Sequence, residues 1–249
     1  MKKFLLFIFA TILINQNIYA NELWNSQKGL DLLNNSKYKN DFYQLVNFYQ
    51  PQMNPLYCSV ASGVMILNAL NYGNIDNQKL LEIKNPNGNT IPYNLYSQQS
   101  FFNEKTDKIK NKEIIDFKTV SKNNTYDPGL TLEEFTKILS KVYKLKVKKY
   151  NFSSLDQSLI NDFRNNLKKI LTDNSSFIIA NFDGKILNQK TNGHIAPIVA
   201  FDEASDMVLI LDPALHKNQW FWTSVSNITK AMNSLDGSNY RGYLTISKK

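Results

Sequence analysis

One cysteine, Cys58, serves all 249 residues, so no internal disulfide can form. Only two histidines, His194 and His216, accompany it. With so few ligands, neither a structural protein-bound metal site nor a protein-bound cofactor is expected. Glycine (9) and proline (7) are scarce, and neither gathers into a linker. No internal repeat divides the chain. No cysteine follows the apolar run FLLFIFATILI, Phe4 to Ile14, which excludes a lipid anchor on Cys. That run also falls short of the ~20 residues of a membrane-spanning helix.

What stands at the N-terminus instead reads as an export leader. MKK supplies the positive region, the apolar run follows, and Ile18-Tyr19-Ala20 offers a cleavage site. Residues 1–20 are expected to be a signal peptide, and 21–249 a single catalytic domain that is periplasmic or secreted. Loss of Lys2 and Lys3 lowers the formal charge from +8 to +6. The remainder is long enough for one sizeable core. A basic balance suits anionic partners without choosing among them. The densest basic run, KVYKLKVKKY (Lys141 to Tyr150), reads as the end of a helix or an exposed strand guarded by lysine. No nucleic-acid reading motif accompanies it, so neither nucleic acid nor, once the leader is removed, a stable membrane association is expected.

The first half reads helical. KNDFYQLVNFY (Lys39 to Tyr49) spaces Phe42, Leu45, Val46 and Tyr49 on one face. The run starting at Cys58 places Val60, Val64 and Leu67 beside Ala61 and Met65, with Gly73 as its stop. Thr131 and Glu134 form a capping-box pattern, and Ser153 to Leu171 is a long amphipathic helix. Strand-like runs follow at SFIIANF (Ser176 to Phe182), HIAPIVAF (His194 to Phe201), MVLILD (Met207 to Asp212) and YLTIS, with a helix at VSNITKAMNSL between the last two. Helices first and an antiparallel sheet second make an α+β domain.

The lone thiol gains meaning from its place. Pro55 and the two residues after it predict an extended approach, and the helical pattern begins at Cys58 itself. The positive end of a helix dipole and its unpaired N–H groups favour a thiolate there. If HIAPIVAF and MVLILD pair as a hairpin turning within Asp202 to Ser205, opposite residues sum to about 406 or 407, and His194 faces Asp212. That is the order of nucleophile, base and orienting acid, although a slip of one residue would undo it. Gln52, six residues before Cys58, can add its amide to the Cys58 N–H as an oxyanion hole.

Gln52, PLYC with VASGVMILNAL, GHIAP at Gly193 to Pro197, MVLILDPA and AMNSLDGSNYRGYLTIS together resemble the catalytic domain of phytochelatin synthases, in the order of that family and over about Tyr43 to Ser247. The resemblance implies a papain-like cysteine protease fold, with an N-terminal helical part packed against a C-terminal sheet, and glutathione as substrate. By the same resemblance Cys58 is nucleophile, His194 base and acid, Asp212 orienter and Gln52 oxyanion donor. Asp236 and Arg241 then hold the γ-glutamyl end, with Asn181 and Gly193 also at the substrate. Cd or Zn is expected only as a glutathione thiolate complex.

Two departures bear on the outcome. Ser59 stands where plant members commonly have glycine, which predicts crowding of the backbone near the substrate. The sequence ends soon after the last matched strand, without the cysteine-rich region of plant members, so hydrolysis to γ-Glu-Cys is expected to outweigh transfer. Two other readings stay open: a peptidase related to bacteriocin-processing enzymes, and a non-catalytic protein that binds thiols or their metal complexes. Whether the chain is a homodimer is open too. His216 and the aromatic run WFW read as structural.

Overall fold

The structure, a computed structural model, describes residues 21–71, 81–84, 86–88, 90–93, 95–115 and 129–249. The expected leader and the helix stop at Gly73 lie outside those residues. Elements run as β1 (Glu22–Leu23), α1 (Gln27–Asn35), α2 (Asn40–Val46) and α3 (Cys58–Asn71), then a hairpin of β2 (Leu81–Lys84) and β3 (Thr90–Tyr93). Three short turns follow, α4 (Gln98–Phe101), α5 (Glu104–Asp107) and α6 (Lys112–Ile115), and then α7 (Leu132–Lys137), which continues as a π-helical turn over Ile138–Val142. The rest is β4 (Lys146–Asn151), α8 (Gln157–Ile170), β5 (Ser176–Asp183), β6 (Gly193–Asp202), β7 (Met207–Ile210), β8 (Phe221–Ser224), α9 (Val225–Met232), β9 (Leu235–Asp236), β10 (Asn239–Tyr240) and β11 (Gly242–Ser247). Among the described residues no helix is long and apolar enough to cross a membrane.

The local signals act as their chemistry requires. Thr131 Oγ1 accepts the Glu134 N–H (3.2 Å) while Glu134 Oε2 accepts the Thr131 N–H (2.8 Å), and α7 begins there. α8 buries Phe163, Leu167 and Ile170 on one stripe and carries Lys168 and Lys169 in its last turn, where the dipole favours cations. α3 buries eleven of its residues, so it is a core helix with no solvent stripe. Gly63 lets it pack closely: a Cβ there would lie 2.9 Å from the Phe101 ring and 3.1 Å from that of Phe135. Ser62 Oγ then donates to Ile195 O at 3.2 Å and ties α3 to β6.

Seven antiparallel strands form one sheet in the order β1-β8-β7-β6-β5-β11-β4. β4 is an edge strand, so the lysine run is both things its pattern suggested: Lys141 lies in the last turn of the π-helical segment, and Lys146 to Tyr150 line the edge. The architecture is mixed α and antiparallel β, with one refinement. Helices cover both faces: Leu33, Leu45, Val64 and Phe135 pack with Phe177, Ile179 and Leu209 on one, while Phe163, Leu167, Ile228 and Met232 pack with Ile178, Ala180 and Phe182 on the other. α8 and α9 lie between sheet strands in sequence, which a reading of helices first and strands second does not convey.

The expected β6–β7 register needs correction. Pairs run Asp202↔Met207, Phe201↔Val208 and Ala200↔Leu209, then shift at a bulge to Ile198↔Ile210, and the turn is residues 203–206. His194 is therefore not directly opposite Asp212. The bulge still brings them to one face. Continued unchanged, the first register would place Asp212 on the face opposite His194, because side chains alternate. One extra residue, Val199, restores the parity, and Val199 and Ala200 both pack into the core on the α3 side.

Candidate active site

The approach to α3 is a turn rather than the extended run expected from Pro55. Asn54 builds it. Its carbonyl accepts the Tyr57 N–H (2.9 Å), its Oδ1 accepts the Leu56 N–H (2.8 Å), and its Nδ2 donates to Ile115 O (3.0 Å). An asparagine side chain bonded to backbone two residues on makes a turn of this kind. The first helical bond, Ala61 N–H to Tyr57 O at 2.8 Å, starts α3 at Cys58. The partly buried thiol thus sits where helix N–H groups lack intrahelical acceptors and the dipole is positive.

His194 comes from the start of β6 and Asp212 from just beyond β7, with side chains 3% and 0% exposed. His194 Nε2 lies 2.7 Å from Asp212 Oδ1. With Nε2 committed to the carboxylate, Nδ1 is the nitrogen left for Cys58, whose side chain hydrogen-bonds the imidazole. Burial opposes the charged ring, yet the charge and hydrogen bond of Asp212, followed by those of Cys58, outweigh it and hold the His194 pKa at about 10. At neutral pH both ring nitrogens therefore carry protons.

Asp212 is itself held on every side. Its Oδ1 accepts the Ala214 N–H (2.7 Å), its Oδ2 accepts from Asn218 Nδ2 (3.2 Å), and its carbonyl accepts from the Tyr49 hydroxyl (2.9 Å). Burial pushes the Tyr49 phenol up to about 12, which keeps it a donor. Asn218 and Tyr49 escaped the sequence reading. Tyr49 counted there as an apolar helix residue, and Asn218 lies in an irregular loop without a motif.

Gln52 joins the same wall. Its N–H donates to Pro213 O (2.9 Å), and its Nε2 donates to Asn54 O (2.8 Å). A primary amide has two N–H groups, so one remains for a ligand oxygen. Gln52, Cys58 and His194 line a cavity of about 380 Å³, within the range of small-molecule sites. Ser59, expected near the substrate, is fully buried and absent from that lining. Its side chain points into the protein because it follows Cys58 by about 100° around the helix.

The opposite wall carries the other expected residues. Asn181, fully buried, donates from Nδ2 to Asp236 Oδ2 (2.8 Å) and accepts from Arg241 Nη1 (2.7 Å), while Arg241 and Asp236 form an ion pair at 3.6 Å. Asp236 ends β9 and Gly237, at φ +66°, begins the turn into β10, so the hairpin signal and the cavity role coincide. Gly193 lies against the guanidinium: a Cβ there would be 2.7 Å from Nη2 and 2.8 Å from Nη1. Arg241 Nε is buried without a hydrogen-bond partner. Lys217, which the sequence reading passed over, lines the cavity as well. His216 is exposed and does not. Among the described residues no group of three or more His, Cys, Asp or Glu could hold a metal ion.

The arrangement can run acyl transfer through a thiolate, with a paired cation and anion to hold a zwitterionic group nearby. Compared with known proteins, the chain matches the family described as phytochelatin synthase over residues 22–243. It is 27% identical over 209 residues to glutathione gamma-glutamylcysteinyltransferase 2 of Arabidopsis thaliana, covering 83% of this chain and 40% of the relative. Glutathione gamma-glutamylcysteinyltransferase 1 of Lotus japonicus is 29% identical over 210 residues, covering 83% and 36%. The enzyme so named from Schizosaccharomyces pombe is 27% identical over 124 residues, covering 47% and 28%. The chain therefore spans two fifths or less of the length of these relatives.

Proposed function

Because the chain belongs to the phytochelatin synthase family, we propose that it is a glutathione γ-glutamylcysteine transferase and hydrolase of papain-like fold, with Cys58 as nucleophile. The helix that bears the thiol, the strand that bears His194 and the antiparallel neighbour that ends just before Asp212 support that fold. The Arg241 guanidinium grips the α-carboxylate of the γ-glutamyl group, and Asp236 pairs with the α-ammonium. The Cys58 thiolate attacks the carbonyl of the Cys–Gly bond. The Cys58 N–H and the second N–H of Gln52 take up the developing oxyanion.

Collapse of that intermediate breaks the C–N bond, and His194 gives its Nδ1 proton to the departing glycine amine. A γ-Glu-Cys thioester remains on Cys58. Neutral His194 then takes a proton from water, the hydroxyl adds to the thioester, and γ-Glu-Cys leaves as the thiolate is restored. A second glutathione can offer its amine in place of water and become a phytochelatin. Hydrolysis is the outcome we favour. Cd or Zn enters as the glutathione thiolate complex, which is substrate.

The observation that carries this reading is the Asn181–Asp236–Arg241 network in the same cavity as Cys58 and His194. A peptidase acting within a chain has no use for a cation and an anion paired to hold a free amino-acid head. The test is mass spectrometry of products from glutathione, with and without Cd²⁺ or Zn²⁺, beside Cys58→Ala. Glycine and γ-Glu-Cys are expected from the wild type and neither from the variant. Glycine release that persists in Cys58→Ala, or cleavage of α-linked peptides in preference to glutathione, overturns the reading.

A further inference from the structure

The backbone of Gln52 is held on both edges. Its N–H donates to Pro213 O (2.9 Å), which ties it to the turn that carries Asp212. On the other edge a single side chain, Gln98 of α4, bonds both flanking peptides: Nε2 donates to Pro51 O (2.9 Å) and Oε1 accepts the Met53 N–H (2.9 Å). Gln98 Nε2 also meets Gln50 Oε1 at 3.3 Å. In an extended chain the C=O before a residue and the N–H after it point to one edge, and the residue's own N–H to the other. A primary amide, donor beside acceptor, fills the place that a neighbouring strand would take.

We propose that Gln98 is a positioning residue for the oxyanion hole: it sets the backbone of Gln52 so that the Gln52 amide meets the oxygen of the carbonyl under attack. Gln98 is 1% exposed and does not line the cavity, so it cannot touch a substrate there. Its whole influence on catalysis passes through Gln52. The demand on geometry is severe, since an oxyanion donor works within a few tenths of an ångström and a displacement near 1 Å can cost ~10²-fold in rate. Pro213 holds one edge of the Gln52 backbone at a single point, and Gln98 holds the other edge at two. The kinetic consequence rests on the function proposed above; the structural consequence does not.

A double-mutant cycle on glycine release from glutathione tests the kinetic part, with wild type, Gln98→Met, Gln52→Ala and the pair. Gln98→Met is expected to lower kcat by about tenfold or more with KM within about twofold. In the Gln52→Ala background the same change is expected to cost nothing further. Gln98→Glu, which turns a buried carboxylate oxygen toward two acceptors, Pro51 O and Gln50 Oε1, should cost at least as much as Gln98→Met. An equal loss in both backgrounds, or an unchanged kcat in Gln98→Met, overturns the inference, since a merely structural residue acts alike whether Gln52 is present or not. Amide hydrogen exchange supplies a measure free of substrate. The Gln52 and Met53 N–H groups should be protected in the wild type and exchange faster in Gln98→Met under conditions where both proteins are folded. Unchanged protection overturns the inference. Absence of glycine release from the wild type would count against the proposed function alone, and hydrogen exchange would then decide.

Discussion

Asp212→Asn removes one negative charge from beside His194 and almost no volume. The amide oxygen can keep the place of Oδ1, which meets His194 Nε2 and the Ala214 N–H at 2.7 Å each. The amide nitrogen then replaces Oδ2 and faces another donor, Asn218 Nδ2, so that 3.2 Å bond is lost. In the native protein burial would strip the imidazole of its charge, were it not for Asp212 and, after it, Cys58, which raise its pKa to about 10. Without the carboxylate charge, burial dominates and drives the pKa below the ordinary ~6.5 of histidine. The fall exceeds roughly three units, on the order of 4 kcal/mol at about 1.4 kcal/mol per unit.

The assay is NMR titration of the ring, with His216→Gln in the background so that one histidine remains, beside glycine release from glutathione. Wild-type His194 should stay an imidazolium up to about pH 9, and the variant should be neutral at pH 7.5. The one proton of the neutral ring then sits on Nε2, toward the residue 212 oxygen, so Nδ1 has none for the leaving amine and kcat should fall by about 10²-fold or more. An imidazolium that persists at pH 8 in the variant would refute the electrostatic account of this site. Stability shares the origin. A raised folded pKa stabilises fully below the unfolded value near ~6.5, and that contribution is lost as pH rises through about 10. Wild-type Tm should therefore decline across that window, and the variant's decline should be much shallower.

Gly193→Ala places a Cβ 2.7 Å from Arg241 Nη2 and should displace the guanidinium, raising KM for glutathione by about tenfold or more with a smaller effect on kcat; steady-state kinetics checks it. Asp41, fully buried with neither carboxylate oxygen hydrogen-bonded, is pushed well above the carboxylate range, by burial first and the charge of Asp173 second. Its stability contribution is thus lost as pH rises above the unfolded value, so Asp41→Asn should gain on the order of 1 kcal/mol at pH 7 and nothing near pH 3, by thermal melting at both. Phe135→Ala empties a fully buried ring site against Gly63 and should cost about 3–5 kcal/mol in chemical denaturation, with catalytic residues untouched.

Much of the fold and the site was legible in the chain because the signals are local. Thr131 and Glu134 cap a helix within three residues of each other, and the apolar run after Cys58 declares a core helix without reference to any partner. A lone cysteine at a helix start and a histidine and an acid near the facing ends of two strands sufficed to nominate Cys58, His194 and Asp212, since each argument needs only propensity, alternation and one short turn. What only the tertiary structure decided involves chain segments far apart. The bulge at Val199 puts His194 and Asp212 on one face, and no pattern in HIAPIVAF announces an inserted residue, because every position after His194 is apolar enough for either side. Asn54 turns the chain into α3 using a carbonyl 61 residues away, and Gln98 grips the Gln52 loop across 45 to 48 residues. Arg241, Asp236 and Asn181 meet only because β5 pairs with β11 and the β9–β10 turn folds back over them. Sequence specified the chemistry that each segment could offer; hydrogen bonds between distant segments, which cannot form until the core has brought them together, determined where that chemistry points.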